Sequence, residues 1–219
     1  MIDVQQLSFR HRDDLPLLFE GFDLTVDRGS KVAVQGASGI GKTTLIYILA
    51  GLLPPSSGKI LMRDFELTRK REREITAFRN RHVGVIFQEY NLLNQLTVEE
   101  NLKLRLAIAG VKRSDDEMKQ QLDRVGLADL FGRPVSSLSG GQQQRVALVR
   151  ALVADPEIIL ADEPTGNLDD QSAAYIIDVL MQGTDSTVLI ASHDARLLAV
   201  AERRLDFLSL CGQHETVVH

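Results

Sequence analysis

The chain has 219 residues, of which 44% are hydrophobic, 25% charged and 5% aromatic, with 16 glycines and no tryptophan. That length suits one globular domain, or one domain carrying an embedded subdomain, and the balance excludes disordered and fibrous classes. Thirty acidic against 25 basic residues give a net charge of −5, which argues against a nucleic-acid binder that uses its whole surface.

The longest nearly apolar stretch, Leu45 to Leu53, is about half of the ~18–20 residues that span a bilayer. The N-terminal residues MIDVQQLSFRHRDD lack the positive-then-apolar pattern of a signal peptide, so neither a membrane span nor secretion by that route is expected. Cys211 is the single cysteine. It excludes an internal disulfide, and with no Cys/His cluster near it cytosolic residence is the default.

In chain order, the apolar and β-branched runs predict strands at Ile2–Phe9, Phe22–Val26, Lys31–Gln35, Lys59–Met62, His82–Phe87, Ile158–Ala161, Thr187–Ser192 and Arg204–Leu210. Those at 31–35, 158–161 and 187–192 are apolar enough to be buried on both faces, as central parallel strands are. The first two and Lys59–Met62 read as an antiparallel flank. Pro54 to Gly58 and the stretch opening at Gly132-Arg133-Pro134 read as turns. From Gln88 to Ala154 no convincing strand occurs, and helical periodicity is visible at 97–109, 114–125 and 141–153. The expectation is an α/β core of residues 1–87 and 155–219, with residues 88–154 inserted as a helical subdomain in a single domain, 1–219. The run Arg69-Lys70-Arg71-Glu72-Arg73-Glu74, with Arg79 and Arg81 beyond it, reads either as a solvated helix face or as a contact with acidic lipid or nucleic acid.

Two motifs carry chemistry. Gly36-Ala37-Ser38-Gly39-Ile40-Gly41-Lys42-Thr43 fits G-x-x-x-x-G-K-[ST] between an apolar strand and a helix that begins near Lys42. Its glycines let successive N–H groups turn inward around a phosphate, and the helix N-terminus adds its positive dipole end. Lys42 is placed to reach the β- and γ-phosphates of ATP and Thr43 to join a Mg²⁺ shell. The run Ile158-Ile159-Leu160-Ala161 leads directly into Asp162-Glu163. Adjacent strand residues face opposite ways, so the two carboxylates need different tasks. Asp162 is the candidate to hold magnesium and Glu163 the candidate general base.

Between these motifs lies Leu138-Ser139-Gly140-Gly141-Gln142-Gln143-Gln144-Arg145, and with it the chain resembles the nucleotide-binding subunits of ATP-binding-cassette (ABC) transporters. The resemblance covers nearly the whole chain. It implies a P-loop NTPase, RecA-like core with a mostly parallel sheet, and a head-to-tail dimer in which Ser139, Gly140, Gly141 and Gln142 of one copy close over the γ-phosphate held by the other. It further implies that Gln88 contacts magnesium and the attacking water, that Asp169 in Gly166-Asn167-Leu168-Asp169 organises the partner's phosphate loop, and that His193 contacts the γ-phosphate and Glu163.

Two positions depart from the family's pattern. His11 stands where an aromatic residue, often Tyr, stacks on adenine, with Phe9 as the alternative if it is not core. Ile40 stands where Ser is common and Thr44 lies beside Thr43; both should leave the backbone cradle intact. Phe87 to Asn101 and Ala161 to Asp169 resemble the lipoprotein-release, macrolide-export and cell-division (FtsE-like) group. That implies an ATP hydrolase peripheral on the cytoplasmic face of the inner (plasma) membrane, working under integral membrane permease-type subunits, without nucleic acid and without the added regulatory domain of many sugar importers. A soluble cassette acting on nucleic acid or ribosomes is the alternative; a small-molecule kinase would leave Leu138–Arg145 without a role.

Overall fold

The computed structural model describes residues 1–166 and 168–211. The chain opens with strands β1 (Ile2–Phe9), β2 (Phe19–Val26) and β3 (Lys31–Gln35), followed by helix α1 (Lys42–Leu49), strands β4 (Ser57–Met62) and β5 (Phe65–Glu66), helix α2 (Glu72–His82) and strand β6 (Val83–Ile86). Helices α3 (Val98–Ala109), α4 (Asp115–Asp123) and α5 (Gly140–Leu152) come next. The remainder is β7 (Ile158–Asp162), α6 (Asp170–Met181), β8 (Thr187–Ala191), α7 (Ala195–Val200) and β9 (Arg203–Asp206).

Five strands pair in parallel in the order β6-β7-β8-β3-β9, and four pair antiparallel in the order β2-β1-β4-β5. The period-two rule for strand side chains divides the core. From the parallel sheet, Val32, Val34, Ile158, Leu160 and Leu189 point toward α1 and the antiparallel sheet, where Ile2, Phe22, Leu45, Ile48 and Ile60 are buried. Ala33, Ile159, Ala161, Val188 and Ile190 point the other way, into a layer with Val98, Leu102, Leu122, Val146 and Ile176. The three central strands are therefore buried on both faces, which is why they read as unbroken apolar runs.

Local signals explain the helix starts. Thr97, Ser114 and Ser139 each accept a bond from the backbone N–H three residues on, at Glu100, Glu117 and Gln142, whose own side chains return to the cap. These reciprocal bonds satisfy helix-end donors that would otherwise lack partners. In β1 the ladder slips between Val4 and Leu7, and Gln6 takes φ +50°, a bulge held by Gln6 N and Nε2 donating to Asp23 at 2.7 and 2.6 Å. The bend sends the chain after Phe9 toward the carboxyl ends of the parallel strands.

The structure corrects three boundaries. Residues 204–210 are not one strand: β9 ends at Asp206, and Leu208–Leu210 form a 3₁₀ turn in which Asp206 Oδ1 accepts from Leu208 N. His82 closes helix α2 rather than opening the strand, and β2 starts three residues before Phe22. The basic run is only partly a solvated face. Arg79 donates to Ala50 O and Gly51 O at 3.3 and 3.0 Å, binding α2 to the end of α1, while Arg69 and Lys70 pair with Glu66 and Glu74.

Helix α5 reaches the sheet closely because β6 carries Gly84 where a Cβ would lie 2.6 Å from Ala151 O. Backbone cannot yield as a flexible side chain can. Gly84→Ala is expected to cost about 1–3 kcal/mol, the usual penalty of overpacking, read as a lower denaturant midpoint with an unchanged slope.

Candidate active site

The phosphate loop follows β3 and lies on an aromatic floor. A Cβ at Gly41, where φ is +113°, would meet Phe19 at 3.0 Å and Phe207 at 3.3 Å, and one at Gly36 would meet Phe207 at 3.2 Å. Glycine is needed at position 41 for conformation and space together. Lys42 is buried, with Nζ donating to Gly36 O at 2.8 Å and Ala37 O at 3.0 Å. The lysine thus closes the loop on itself through two carbonyl bonds.

Asp162 ends β7 with 1% of its surface exposed, and its Oδ1 accepts from the Thr43 hydroxyl at 3.1 Å. Burial pushes the Asp162 carboxyl above the ordinary carboxylate range; the Thr43 hydrogen bond opposes this and the neighbouring Glu163 charge adds to it. Glu163 faces away from Thr43. Its Oε2 accepts from Ser192 Oγ at 2.9 Å and from His193 N at 3.3 Å, and its Oε1 lies 2.6 Å from His193 Nδ1. The Glu163 backbone has φ +45°, held by its N–H donating to Ala191 O at 2.8 Å and its carbonyl accepting from Gly166. A left-handed glutamate costs of order 1–3 kcal/mol and persists only where the surroundings over-determine it, as functional sites do.

One cleft of about 660 Å³ gathers these groups. His11, Leu18, Gln88, Glu163 and His193 line it together with Gly36 to Gly39 and Gly41 to Thr44. Phe9 is 6% exposed and stacks on Phe19, with ring centroids 6.3 Å apart, whereas His11 is exposed on the cleft with its ring edge-on to Phe9 at 5.0 Å. His11 is therefore the ring exposed on the cleft, and Phe9 belongs to the core. Leu18, Ser192 and Phe207 are site or support residues that sequence reasoning missed; only Ser192, beside His193, carried a positional signal.

Ser139, Gly140, Gly141 and Gln142 are absent from this cleft, as is Asp169. They stand together elsewhere. Ser139 caps α5, Asp169 caps α6 by accepting from Ser172 N at 2.9 Å, and a Cβ at Gly141 would lie 2.8 Å from Ser172 Oγ and 3.6 Å from Asp169 Oδ2. Asn167 lies outside the described residues. The result is a second set of helix N-termini, capped and exposed, outside the phosphate-loop cleft.

The family model for ABC transporters matches residues 19–166. The chain belongs to that family. At 41% identity over 81% of the chain it is similar to the bacitracin export ATP-binding protein BceA of Halalkalibacterium halodurans, covering 72% of that protein. A lipoprotein-releasing system ATP-binding protein LolD, from Desulfotalea psychrophila, is 38% identical over 95% of both chains. Among solved structures, the dimeric post-hydrolysis state of the ATP-binding cassette MJ0796 bound to ADP and Pi superimposes with a TM-score of 0.83, at 28% identity and 94% coverage of each chain. The chain is thus an ABC ATPase cassette of the ATP-hydrolysing kind, and its α/β architecture is that of this family.

In this cassette the ionised Asp162 opposes folding. Its carboxyl binds a proton more tightly in the folded chain than in the unfolded one, so the destabilisation is absent below the ordinary value of 3.8 and complete above the raised value. Asp162→Asn keeps the acceptor for Thr43 and removes the charge. Without nucleotide it is expected to melt at a higher temperature than the parent at pH 7, with the gain vanishing as pH is lowered through the carboxylate range.

Proposed function

We propose that two copies of this cassette bind ATP between them, head to tail, and that hydrolysis drives an integral membrane subunit from the cytoplasmic face of the inner membrane. The observation that carries this reading is the division of phosphate-binding groups: the cleft holds Lys42, Glu163 and His193 but none of Ser139–Gln142. A second copy would bring its Ser139 hydroxyl and the N–H groups of Gly140 to Gln142 over the γ-phosphate, with its Asp169 beside the phosphate loop. The dimeric cassettes among the structural neighbours support the arrangement.

Within each site the chain's own groups have separable tasks. Lys42 would exchange the carbonyls of Gly36 and Ala37 for β- and γ-phosphate oxygens. His193, whose side chain is 75% exposed against 11% for Glu163, is free to turn from Oε1 toward the γ-phosphate. That movement would leave Oε1 open to take a proton from the attacking water, while Ser192 keeps Oε2 in place. Gln88 would help align that water, and His11 would cover the adenine.

The donor chemistry also fits magnesium. Thr43 and Asp162 converge as hard oxygen donors beside Lys42, and Gln88 lines the same cleft. Among the described residues no cluster of three or more His, Cys, Asp or Glu could enclose an ion, so phosphate oxygens and water would complete the shell. Bound there, the ion would neutralise charge on the β- and γ-phosphates.

No helix among the described residues is long and apolar enough to cross a membrane; on this reading the translocation path would belong to the membrane subunits. Relatives of nearly equal identity bear export and lipoprotein-release names. Cargo selection would therefore lie in the membrane subunits, with residues 88–154 of the cassette rotating as a subdomain against the core to move them.

Glu163→Gln is expected to retain ATP binding, to accumulate ATP-bound dimer in size-exclusion chromatography, and to lose at least about 10²-fold in phosphate release, the lower end of what a general base contributes. Turnover at the parent rate would remove Glu163 from that role. Mixing Lys42→Ala with Ser139→Ala tests the head-to-tail order. Each mixed pair holds one intact site, so the mixture should regain phosphate release that neither variant has alone; no recovery would contradict composite sites.

A further inference from the structure

Of the three residues between β8 and α7, Ser192 and His193 bond to Glu163, whereas the Asp194 carboxylate turns to the guanidinium of Arg196. Asp194 caps α7 by accepting from Arg196 N at 2.9 Å. Its carboxylate oxygens also accept from Arg196 Nε at 3.1 and 3.2 Å and from Nη2 at 2.7 Å. The bonds from Arg196 hold the Asp194 carboxyl down at about 2, so this fork stays closed at any pH near neutrality. On its other side the Asp194 N–H donates to Ser192 Oγ at 3.1 Å, and that hydroxyl donates to Glu163 Oε2 at 2.9 Å. A continuous set of bonds thus runs from the Arg196 guanidinium to the candidate general base.

The remaining arm of the same guanidinium leaves the loop. Arg196 Nη1 donates to Asp170 Oδ1 at 2.6 Å, across 26 residues of sequence. Asp170 is the first residue of α6 and follows Asp169, the cap of that helix. Its side chain is 96% exposed, against 38% for Arg196 and 13% for Asp194. An ion pair so open to water contributes little to stability, and the Asp194 fork already fixes the start of α7. What the Asp170 arm adds is a connection, because the planar guanidinium can hold two carboxylates of separate elements at once. It joins the loop that carries His193 to the residue beside Asp169.

Resting on the reading that Asp169 stands beside the phosphate loop of a second copy, we propose that Arg196 is a positioning residue for hydrolysis. It ties the His193 loop to the N-terminus of α6, so that engagement of Asp169 by the second copy sets the placement of His193 and Glu163. Each chain gives Lys42, Glu163 and His193 to its own cleft, and Ser139 and Asp169 to the other. Arg196 links the two contributions. It does not line the cleft, so it acts through the loop and alters the chemical step rather than the binding of ATP.

Asp170→Asn cuts only the arm to α6, leaves the Asp194 fork in place and, at so exposed a position, should fold. Measured by phosphate release in the full chain, its kcat is expected to fall about threefold or more, with KM for ATP within about twofold of the parent. Arg196→Ala should lose at least as much, and adding Asp170→Asn to it should cost nothing further, the non-additivity expected of a single bridge. Combined with Glu163→Gln, Asp170→Asn should still accumulate ATP-bound dimer in size-exclusion chromatography. A parental kcat for Asp170→Asn would overturn the inference, and so would a lower denaturant midpoint with kcat unchanged, which is what loss of a favourable helix-end charge alone produces. A raised KM, additive losses in the double variant, or loss of the dimer would overturn it too, since each gives these residues a different task. All of these outcomes leave the proposed function standing. Failure of Glu163→Gln by itself to form an ATP-dependent dimer would instead overturn the composite site on which the inference rests.

Discussion

The parallel pairing of β8 with β7 on one side and β3 on the other holds the phosphate loop, Asp162, Glu163 and His193 at a common level. Ala161 pairs with Ile190, Asp162 with Ala191 and Val34 with Ala191, so the three strands end together. At those ends lie the phosphate loop, Asp162, Glu163 and His193. The strands are buried on both faces, where no water can replace a lost backbone bond, and the register therefore cannot slip without moving a whole set of side chains into the wrong layer. The hydrogen bond from Thr43 to Asp162, between residues 119 apart in the chain, is a consequence of that register.

Several locally unfavourable features collect at this strand edge. Asp162 is a carboxylate with almost no exposure, Glu163 is left-handed, and Lys42 is buried with only carbonyl partners. A buried carboxylate and a left-handed backbone persist only where the surroundings over-determine them, as functional sites do. The contrast with the Ser139–Asp169 surface is informative. There the Ser139 and Asp169 caps are conventional, satisfied and exposed. The proposed composite site would pair that preorganised cleft with this relaxed, accessible surface.

Much of the fold was legible in the sequence because it depends on periodicity. The doubly buried strands 31–35, 158–162 and 187–191 are short apolar runs, and the helix starts at 98, 115 and 140 carry Thr or Ser with Glu or Gln three residues on. Where the signal was weak, the reading ran over. Residues 204–210 look like a strand because Leu205, Phe207, Leu208 and Leu210 are apolar, yet Asp206 ends the strand by capping the turn behind it, and Phe207 turns in beneath the phosphate loop. In the sequence Arg79 is one more charge in a basic run, and only the position of the end of α1 makes it structural.

The site divides in the same way. Sequence alone determined the phosphate loop, the acidic pair and the Ser139 motif, because each is a set of neighbouring residues whose spacing is itself the chemistry. Tertiary structure decided what meets what across long separations. It set Thr43 against Asp162, Ser192 and His193 against Glu163, Phe207 under Gly41, and His11 rather than Phe9 on the cleft. Such contacts arise from packing between elements remote in the chain, and no local pattern of residues encodes them.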